Sequence, residues 1–161
     1  MPFALEQLTQ ALAFLNGVVP QSLNNSRAST AGVDMSVHER ALFVLYIGAV
    51  TAGSLSAWLQ ESSDNFSSDV PSNDAASSLS NSAGSYLSAT GLTTSSSLVT
   101  FEVRAGQLTA GKRHVRLQVK EVNGSAVPVC VLAIGSEAHP RPARAAEGNH
   151  AGTNGAHYVV A

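Results

Sequence analysis

The chain has 161 residues, a formal net charge of −2, and charged side chains at only 12% of its positions. This length fits one domain, and the single cysteine, Cys130, cannot form an intrachain disulfide, which excludes a disulfide-rich secreted scaffold. The slightly acidic balance argues against nucleic-acid binding, which needs clustered Lys and Arg. Because charge is so scarce, the surface must consist of uncharged polar groups or be covered by other protein.

The N-terminal segment carries leucines at helical spacing, which predicts a short amphipathic helix over residues 3–16 that ends at Gly17. Its apolar face either packs on its own domain or docks on a neighbouring subunit. The following residues, 18–36, are rich in Asn, Ser, Ala and Gly and predict extended chain. Residues 1–36 are therefore interpreted as an N-terminal helix or arm with an extended lead-in.

Two apolar segments open the central part of the chain. Residues 41–47 are apolar at successive positions, which is typical of a strand buried between two layers, and residues 54–60 alternate apolar with polar side chains. Together they predict a β-hairpin. The alternative is one membrane span over the nineteen uncharged residues 41–59, but Gly, Ser and Thr crowd its second half and no Lys/Arg cluster flanks it.

Two further segments alternate with period two. Residues 99–104 and 115–120 each place apolar side chains on one face, and the glycines between them predict a second hairpin. Residues 127–134 predict an apolar strand in which Pro128 favours a position at the sheet edge or at the strand start. Residues 37–138 thus predict one β-sandwich core.

A serine-rich insert, residues 62–97, interrupts this core with fourteen serines. A long structureless loop is improbable inside a compact domain, so we expect short strands near Val70 and over residues 86–90. Asp64, Asp69 and Asp74 recur at intervals of five, and we interpret them as solvated loop acids because the spacing fits no EF-hand. The tail, residues 139–161, predicts either disorder or an extended arm laid across a neighbour.

No pattern for catalysis, metal binding or cofactor binding stands out. The chain lacks a Gly-x-Ser-x-Gly elbow and a glycine-rich phosphate loop, Cys130 lies in a predicted strand, and the histidines have no metal-ligand spacing. We therefore expect no enzyme, no cofactor and no metal. The candidate partner-contact residues are those of the two ends: Leu5, Leu8, Leu12, Leu15, Arg141, Arg144, Tyr158, Val159 and Val160.

Seven phrases, read in order over residues 18–142, resemble those of the capsid cement, or decoration, proteins of tailed bacteriophages. They are VPQSLNN (19–25), GVDMS (32–36), ALFVLYIG (41–48), WLQES (58–62), FEVR (101–104), LTAGKRHVRL (108–117) and VLAIG (131–135). The resemblance is one of pattern and carries no catalytic signature. The long insert and the Gly/Ala/His tail depart from the compact versions of such proteins.

The resemblance implies a fold, a partner and a location. The fold would be all-β, a β-sandwich of jelly-roll type with a short N-terminal helix or arm and an extended C-terminal tail. The protein would be a non-enzymatic component of the virion, a homotrimer on the outer capsid surface that binds the major capsid protein and contacts neither nucleic acid nor membrane. The alternatives are a phage neck or fibre-base module, or a carbohydrate- or receptor-binding β-sandwich.

Overall fold

A computed structural model describes residues 12–68 and 88–138, which form two five-stranded antiparallel sheets. Besides the strands, this part of the chain contains one turn of 3₁₀ helix, Ala105–Gln107. The strands are β1 (Leu12–Phe14), β2 (Val18–Leu23), β3 (Arg27–Ser29), β4 (Val33–Asp34), β5 (His38–Ile47), β6 (Ser54–Ser62), β7 (Ser88–Leu92), β8 (Ser97–Arg104), β9 (His114–Val122) and β10 (Val127–Ala138).

Sheet A has the order β1-β10-β5-β8, and β2 also pairs with β10. β1 and β2 lie one after the other along the same side of β10, so they form one interrupted edge strand. The interruption lies at residues 15–17, where Leu15 N–H donates to Ala133 O at 2.8 Å. A Cβ at Gly17 would lie 1.8 Å from Val131 O, so only glycine allows this close approach.

The described end of the predicted N-terminal helix is a strand. Residues 12–14 pair with β10, and their leucine spacing therefore does not reflect a helix at this point. The last residues of a helix leave backbone C=O groups without a partner, whereas pairing with β10 gives these residues hydrogen bonds. Tertiary pairing therefore outweighs the helical spacing of the leucines. Residues 1–11 lie outside the described residues.

Sheet B has the order β3-β9-β6-β7, and β4 also pairs with β9. β3 and β4 share one side of β9 in the same way that β1 and β2 share β10. The chain therefore crosses from sheet A to sheet B at residues 24–26, and its last crossing within the described residues, from sheet B to sheet A, lies at residues 123–126.

The core lies between the two sheets and is made of alternate residues of each strand. Phe43 of β5 pairs in register with Phe101 of β8, and both side chains are buried. Leu59 and Leu117, paired across β6 and β9, occupy the corresponding inner face of sheet B. Burying side chains of this size contributes roughly 1.5–3 kcal/mol each, so this layer is the main stabilising element.

The strands themselves were predicted, but the two predicted hairpins are wrong. Residues 41–47 belong to β5 in sheet A and residues 54–60 to β6 in sheet B, so the chain between them crosses from one sheet to the other. Residues 99–104 and 115–120 lie in β8 and β9 and are separated in the same way. Two strands that each have one apolar face can lie next to each other in one sheet or opposite each other in two packed sheets. Alternation of apolar and polar residues is the same in both cases, so it does not distinguish them.

The remaining expectations for the core differ in outcome. Pro128 is the second residue of β10, as the strand-start position predicts, although β10 lies between the β1/β2 edge and β5. β7 falls at the position expected for a short strand at residues 86–90, whereas Val70 and the tail, 139–161, lie outside the described residues. No helix within residues 12–68 and 88–138 has the length and apolarity to cross a membrane.

Candidate functional site

The predicted partner-contact residues fall mostly outside the described part of the chain. Of the nine, Leu12 and Leu15 are described, and both are half-buried. Leu12 pairs with Ser136 of β10, and Leu15 packs against the core. These two leucines therefore stabilise the sandwich edge, and Leu5, Leu8, Arg141, Arg144, Tyr158, Val159 and Val160 lie outside the described residues.

A serine, a histidine and an aspartate stand in one row across sheet B. His114 of β9 pairs in register with Ser62 of β6 on one side and with Asp34 of β4 on the other. His114 Nε2 lies 3.9 Å from Asp34 Oδ2, and the imidazole is buried. The row contains the residue types of a serine hydrolase triad, so its hydrogen bonds decide what it can do.

The hydroxyl of Ser62 is directed into a turn and not toward the imidazole. Ser62 Oγ donates to Asp64 Oδ1 at 2.9 Å and accepts from Phe66 N–H at 2.9 Å, and the side chain is fully buried. His114 Nδ1 accepts from Asn65 N–H at 3.2 Å. A nucleophile needs a hydroxyl that is accessible and bonded to its base, so this geometry fastens residues 62–68 onto β9.

Asp64 also serves this turn. Its carboxyl accepts hydrogen bonds from the backbone N–H groups of Ser67 and Ser68. The interpretation of Asp64 as a solvated loop acid is therefore incomplete, because the side chain organises the turn that follows β6. Asp69 and Asp74 lie outside the described residues. Within residues 12–68 and 88–138, no group of three or more His, Cys, Asp or Glu side chains is placed to hold a metal ion.

Asp34 at the end of this row makes the fold sensitive to acid. Burial alone would raise the pKa of the Asp34 carboxyl, but hydrogen bonds from the hydroxyl and backbone N–H of Ser36 lower it. Electrostatic attraction to His114 and Arg113 lowers it further, so the folded pKa lies below the ordinary value of 3.8. Asp34 therefore stabilises the fold fully above the unfolded pKa, and this contribution is lost as pH falls through the folded pKa.

We expect Asp34→Asn to flatten the acid limb of the stability curve. Urea midpoints measured from pH 6 to pH 2 should fall less steeply below the unfolded value of 3.8 in the variant than in the wild type. Ser36→Ala should act in the same direction, because it removes a hydroxyl that donates to Asp34. Parallel curves for wild type and Asp34→Asn would contradict the assignment.

Two buried glutamates stand at opposite ends of the inner face of sheet B. Glu121 of β9 accepts hydrogen bonds from three backbone N–H groups, those of Asn25 at 2.6 Å, Gly124 at 3.1 Å and Ser125 at 3.2 Å. It therefore joins two of the chain crossings between the sheets, residues 24–26 and 123–126. Glu61 of β6 accepts from Thr109 N–H at 2.9 Å and anchors the connection between β8 and β9 at the other end.

The outer face of sheet B is polar and partly basic. Arg116 Nε donates to Gln60 Oε1 at 2.9 Å, and its guanidinium carbon lies 4.0 Å from the centroid of the Phe66 ring, a cation–π contact. Burial, and then the charge of Arg27, lower the pKa of Arg116. Trp58 and Gln118 pair in register on this face, and both are buried. Gln60 and His114 are buried as well, so most of this face is inaccessible to solvent.

The outer face of sheet A is apolar. Three rows of side chains cross it, and the register of β1, β10, β5 and β8 aligns them. Several members are strongly exposed: Leu98 by 65%, Phe14 by 56%, Tyr46 by 44% and Leu132 by 41%. We define the sheet A patch as Phe14, Leu42, Val44, Tyr46, Leu98, Cys130, Leu132 and Ile134.

One border of the sheet A patch is charged. Arg40 Nη1 lies 3.7 Å from Glu102 Oε1, and both side chains are partly exposed. Leu42, Thr100, Glu102, Arg104 and Gln107 line an open groove of about 410 Å³ at this border. The groove is shallow, which fits a contact with a protein surface better than a site that encloses a small molecule.

The sequence contained a signal for this patch that the prediction missed. Residues 41–47 are apolar at successive positions, and we expected both faces of this strand to be buried. Ala41, Phe43, Leu45 and Ile47 are buried, whereas Leu42 and Val44 are half-buried and Tyr46 is exposed. A strand that is apolar on both faces but covered on one indicates a surface for another protein.

Comparison with known proteins adds little to this description. No family model and no curated protein matches the chain. One solved structure, a crystal structure of domains CD (residues 230–489), is similar with a TM-score of 0.30 and 11% identity, over 78% of this chain and 54% of that one. The chain thus spans about half the length of that structure. A likeness of this size bears on neither fold family nor function.

Proposed function

We propose that the chain is a non-enzymatic structural protein of a tailed-bacteriophage virion, a cement or decoration protein that binds the major capsid protein on the outer capsid surface. The observation that carries the proposal is the exposed sheet A patch on a sandwich whose sequence is poor in charge. An apolar patch on a protein surface is often functional, especially where polar residues border it. The chain thus has the surface of a protein that works inside an assembly.

The proposal includes a sandwich of jelly-roll type. If β1 with β2 and β3 with β4 are each counted as one interrupted strand, the described residues contain eight strands, four in each sheet. In chain order they then follow 1-8-3-6 in sheet A and 2-7-4-5 in sheet B, so every connection between consecutive strands except 4–5 crosses between the sheets. Eight-stranded double sheets of this kind are frequent in viral capsid proteins.

The physical role of such a protein is to stabilise an assembled shell. A ligand that binds the assembled state and not the free subunits shifts the equilibrium toward assembly by mass action. Several weak contacts per particle then add through multivalency. We propose a homotrimer for this reason, with residues of the two chain ends, Leu5 and Leu8 and Tyr158 to Val160, contacting the capsid.

The carbohydrate-binding alternative requires exposed aromatic side chains. Tyr46 is exposed, but Trp58 is only 1% exposed, and Tyr86 lies outside the described residues. A sugar ring stacks on an open aromatic face, which buried Trp58 does not offer. The burial of Trp58 therefore favours the structural role, while a neck or fibre-base module would present the same apolar surface to a different partner.

Co-sedimentation with capsids tests the proposal. Purified protein mixed with undecorated shells of the major capsid protein should pellet with the shells and raise the temperature at which they break. Replacing Tyr158, Val159 and Val160 together by Ser should weaken binding at least about tenfold, a change of about 1.4 kcal/mol. Val122→Ser, in the exposed end of β9, is the matched control and should bind as the wild type does. Absence of wild-type protein from the pellet would contradict the role.

A further inference from the structure

We propose that the sheet A patch is the surface through which copies of this chain contact one another. Its eight apolar side chains come from four neighbouring strands and form a continuous grid: Phe14, Ile134 and Leu42 in one row, Leu132 and Val44 in the next, and Cys130, Tyr46 and Leu98 in the third. The inference rests on the homo-oligomer of the proposed function, and it does not require capsid binding.

The contrast between the two outer faces supports a contact at sheet A. On the outer face of sheet B, Trp58, Gln60 and His114 are buried, so little of that face is accessible. On the outer face of sheet A, four members of the patch are 41–65% exposed. Of the large apolar side chains that are exposed in the described residues, all but Val122 belong to strands of sheet A.

Charge at the border allows a second copy as the occupant. Arg40 and Glu102 form an ion pair at one side of the patch, and Arg104 lies two residues further along β8. Both signs of charge are therefore present, so two copies brought face to face do not oppose each other by like charge. Sheets that pack face to face lie about 10 Å apart with interdigitating side chains, and the aliphatic groups of the patch suit that spacing.

The area of the patch sets the strength of the contact. One residue on a sheet face occupies roughly 33 Å², so eight residues have a footprint of about 260 Å². A stable interface takes about 800 Å² from each partner. The patch by itself therefore supports reversible self-association that depends on concentration, and a permanent oligomer would need additional contacts.

Sedimentation equilibrium on the full chain tests the proposal. The average mass of the wild type should rise above 16.6 kDa as its concentration increases from about 1 μM to about 1 mM. Leu98→Lys adds a charge at the most exposed residue of the patch, the second residue of edge strand β8. This variant should need at least tenfold higher concentration for the same rise in mass. Val122→Lys adds the same charge on β9 of sheet B, outside the patch, and should leave the rise unchanged.

Cys130, the single cysteine of the chain, reports directly on the patch. Its side chain is half-buried, and it lies beside Tyr46 of β5 and two residues from Leu132 on β10. Because self-association would cover it, its rate of alkylation by iodoacetamide should fall as the wild-type concentration rises. In Leu98→Lys the same fall in rate should require at least tenfold higher concentration. Circular dichroism of each variant should match the wild type, and Leu132→Gln, a milder change in the centre of the patch, should shift the equilibrium in the same direction as Leu98→Lys.

Several results would overturn the inference. A wild-type mass of 16.6 kDa at all concentrations would do so, as would equal weakening by Leu98→Lys and Val122→Lys. Slow alkylation of Cys130 in a monomer would mean that the chain's own residues cover the patch. Capsid binding distinguishes this inference from the proposed function. Self-association without capsid binding refutes the capsid role and leaves this inference standing. Capsid binding by a strictly monomeric wild type refutes this inference and the proposed homotrimer, and leaves the capsid role standing.

Discussion

Glu121→Ala should destabilise the protein by about 3–5 kcal/mol, because it removes the acceptor of three backbone N–H groups in a fully buried setting. Those groups belong to two of the segments that carry the chain between the sheets, residues 24–26 and 123–126. Without the carboxyl, Asn25, Gly124 and Ser125 lose their partner together. Guanidinium denaturation followed by far-UV circular dichroism measures the change.

Two variants make this result specific. Glu121→Gln retains one acceptor oxygen and should cost less than Glu121→Ala, since part of the network survives. Glu102→Ala removes an exposed glutamate whose ion pair with Arg40 spans 3.7 Å, and surface pairs of this kind contribute at most about 1 kcal/mol. Equal effects of Glu121→Ala and Glu102→Ala would show that the buried network does not hold the crossings.

Phe43→Ala should also cost about 3–5 kcal/mol, the usual loss when a buried phenylalanine is truncated and leaves a cavity. Phe43 is fully buried in the middle of β5 and lies in register with Phe101 on β8 and Ala133 on β10. The backbone around the cavity is fixed by pairing on both sides, so collapse can recover little of the lost packing. The midpoint of denaturant unfolding should fall without a change in slope.

Phe14→Ala is the control that separates the two faces of sheet A. Phe14 is 56% exposed in the sheet A patch, so its truncation should change stability by no more than about 0.5 kcal/mol. The same substitution should weaken self-association, because it removes an apolar group from the patch. If Phe14→Ala destabilises the monomer as strongly as Phe43→Ala, the assignment of inner and outer faces is wrong.

The sequence predicted strands well and their partners poorly. Alternation located β6, β8 and β9, since a period of two reflects one covered face whichever sheet the strand joins. Strand pairing depends on contacts between residues far apart in the chain, such as Leu12 with Ser136. The alternation of apolar and polar residues within one strand does not indicate which strand it pairs with. The two predicted hairpins failed for this reason, and so did the helix at residues 12–14.

The candidate surface was predictable only in part. Low charge indicated a surface intended for other protein, and the candidates were the N-terminal leucines and residues of the C-terminal tail. For the leucines, packing on their own domain was the alternative. Leu12 and Leu15 contribute to the sandwich edge instead, while the exposed apolar residues come from β1, β5, β8 and β10. Assembling such a patch requires the strand order and register, which bring Phe14 beside Ile134 across more than a hundred residues of chain.

The position of β10 determines when folding can finish. β10 is the last strand of the described residues, yet it lies inside sheet A and pairs with β5 on one side and with β1 and β2 on the other. During synthesis, the edges of β5 and of the first two strands therefore remain unpaired until nearly all of the described chain has been made. Such non-local closure is slow, and the nascent protein exposes strand edges that invite aggregation. Chaperone binding to ribosome-bound chains that end before residue 127 is the cellular consequence we expect.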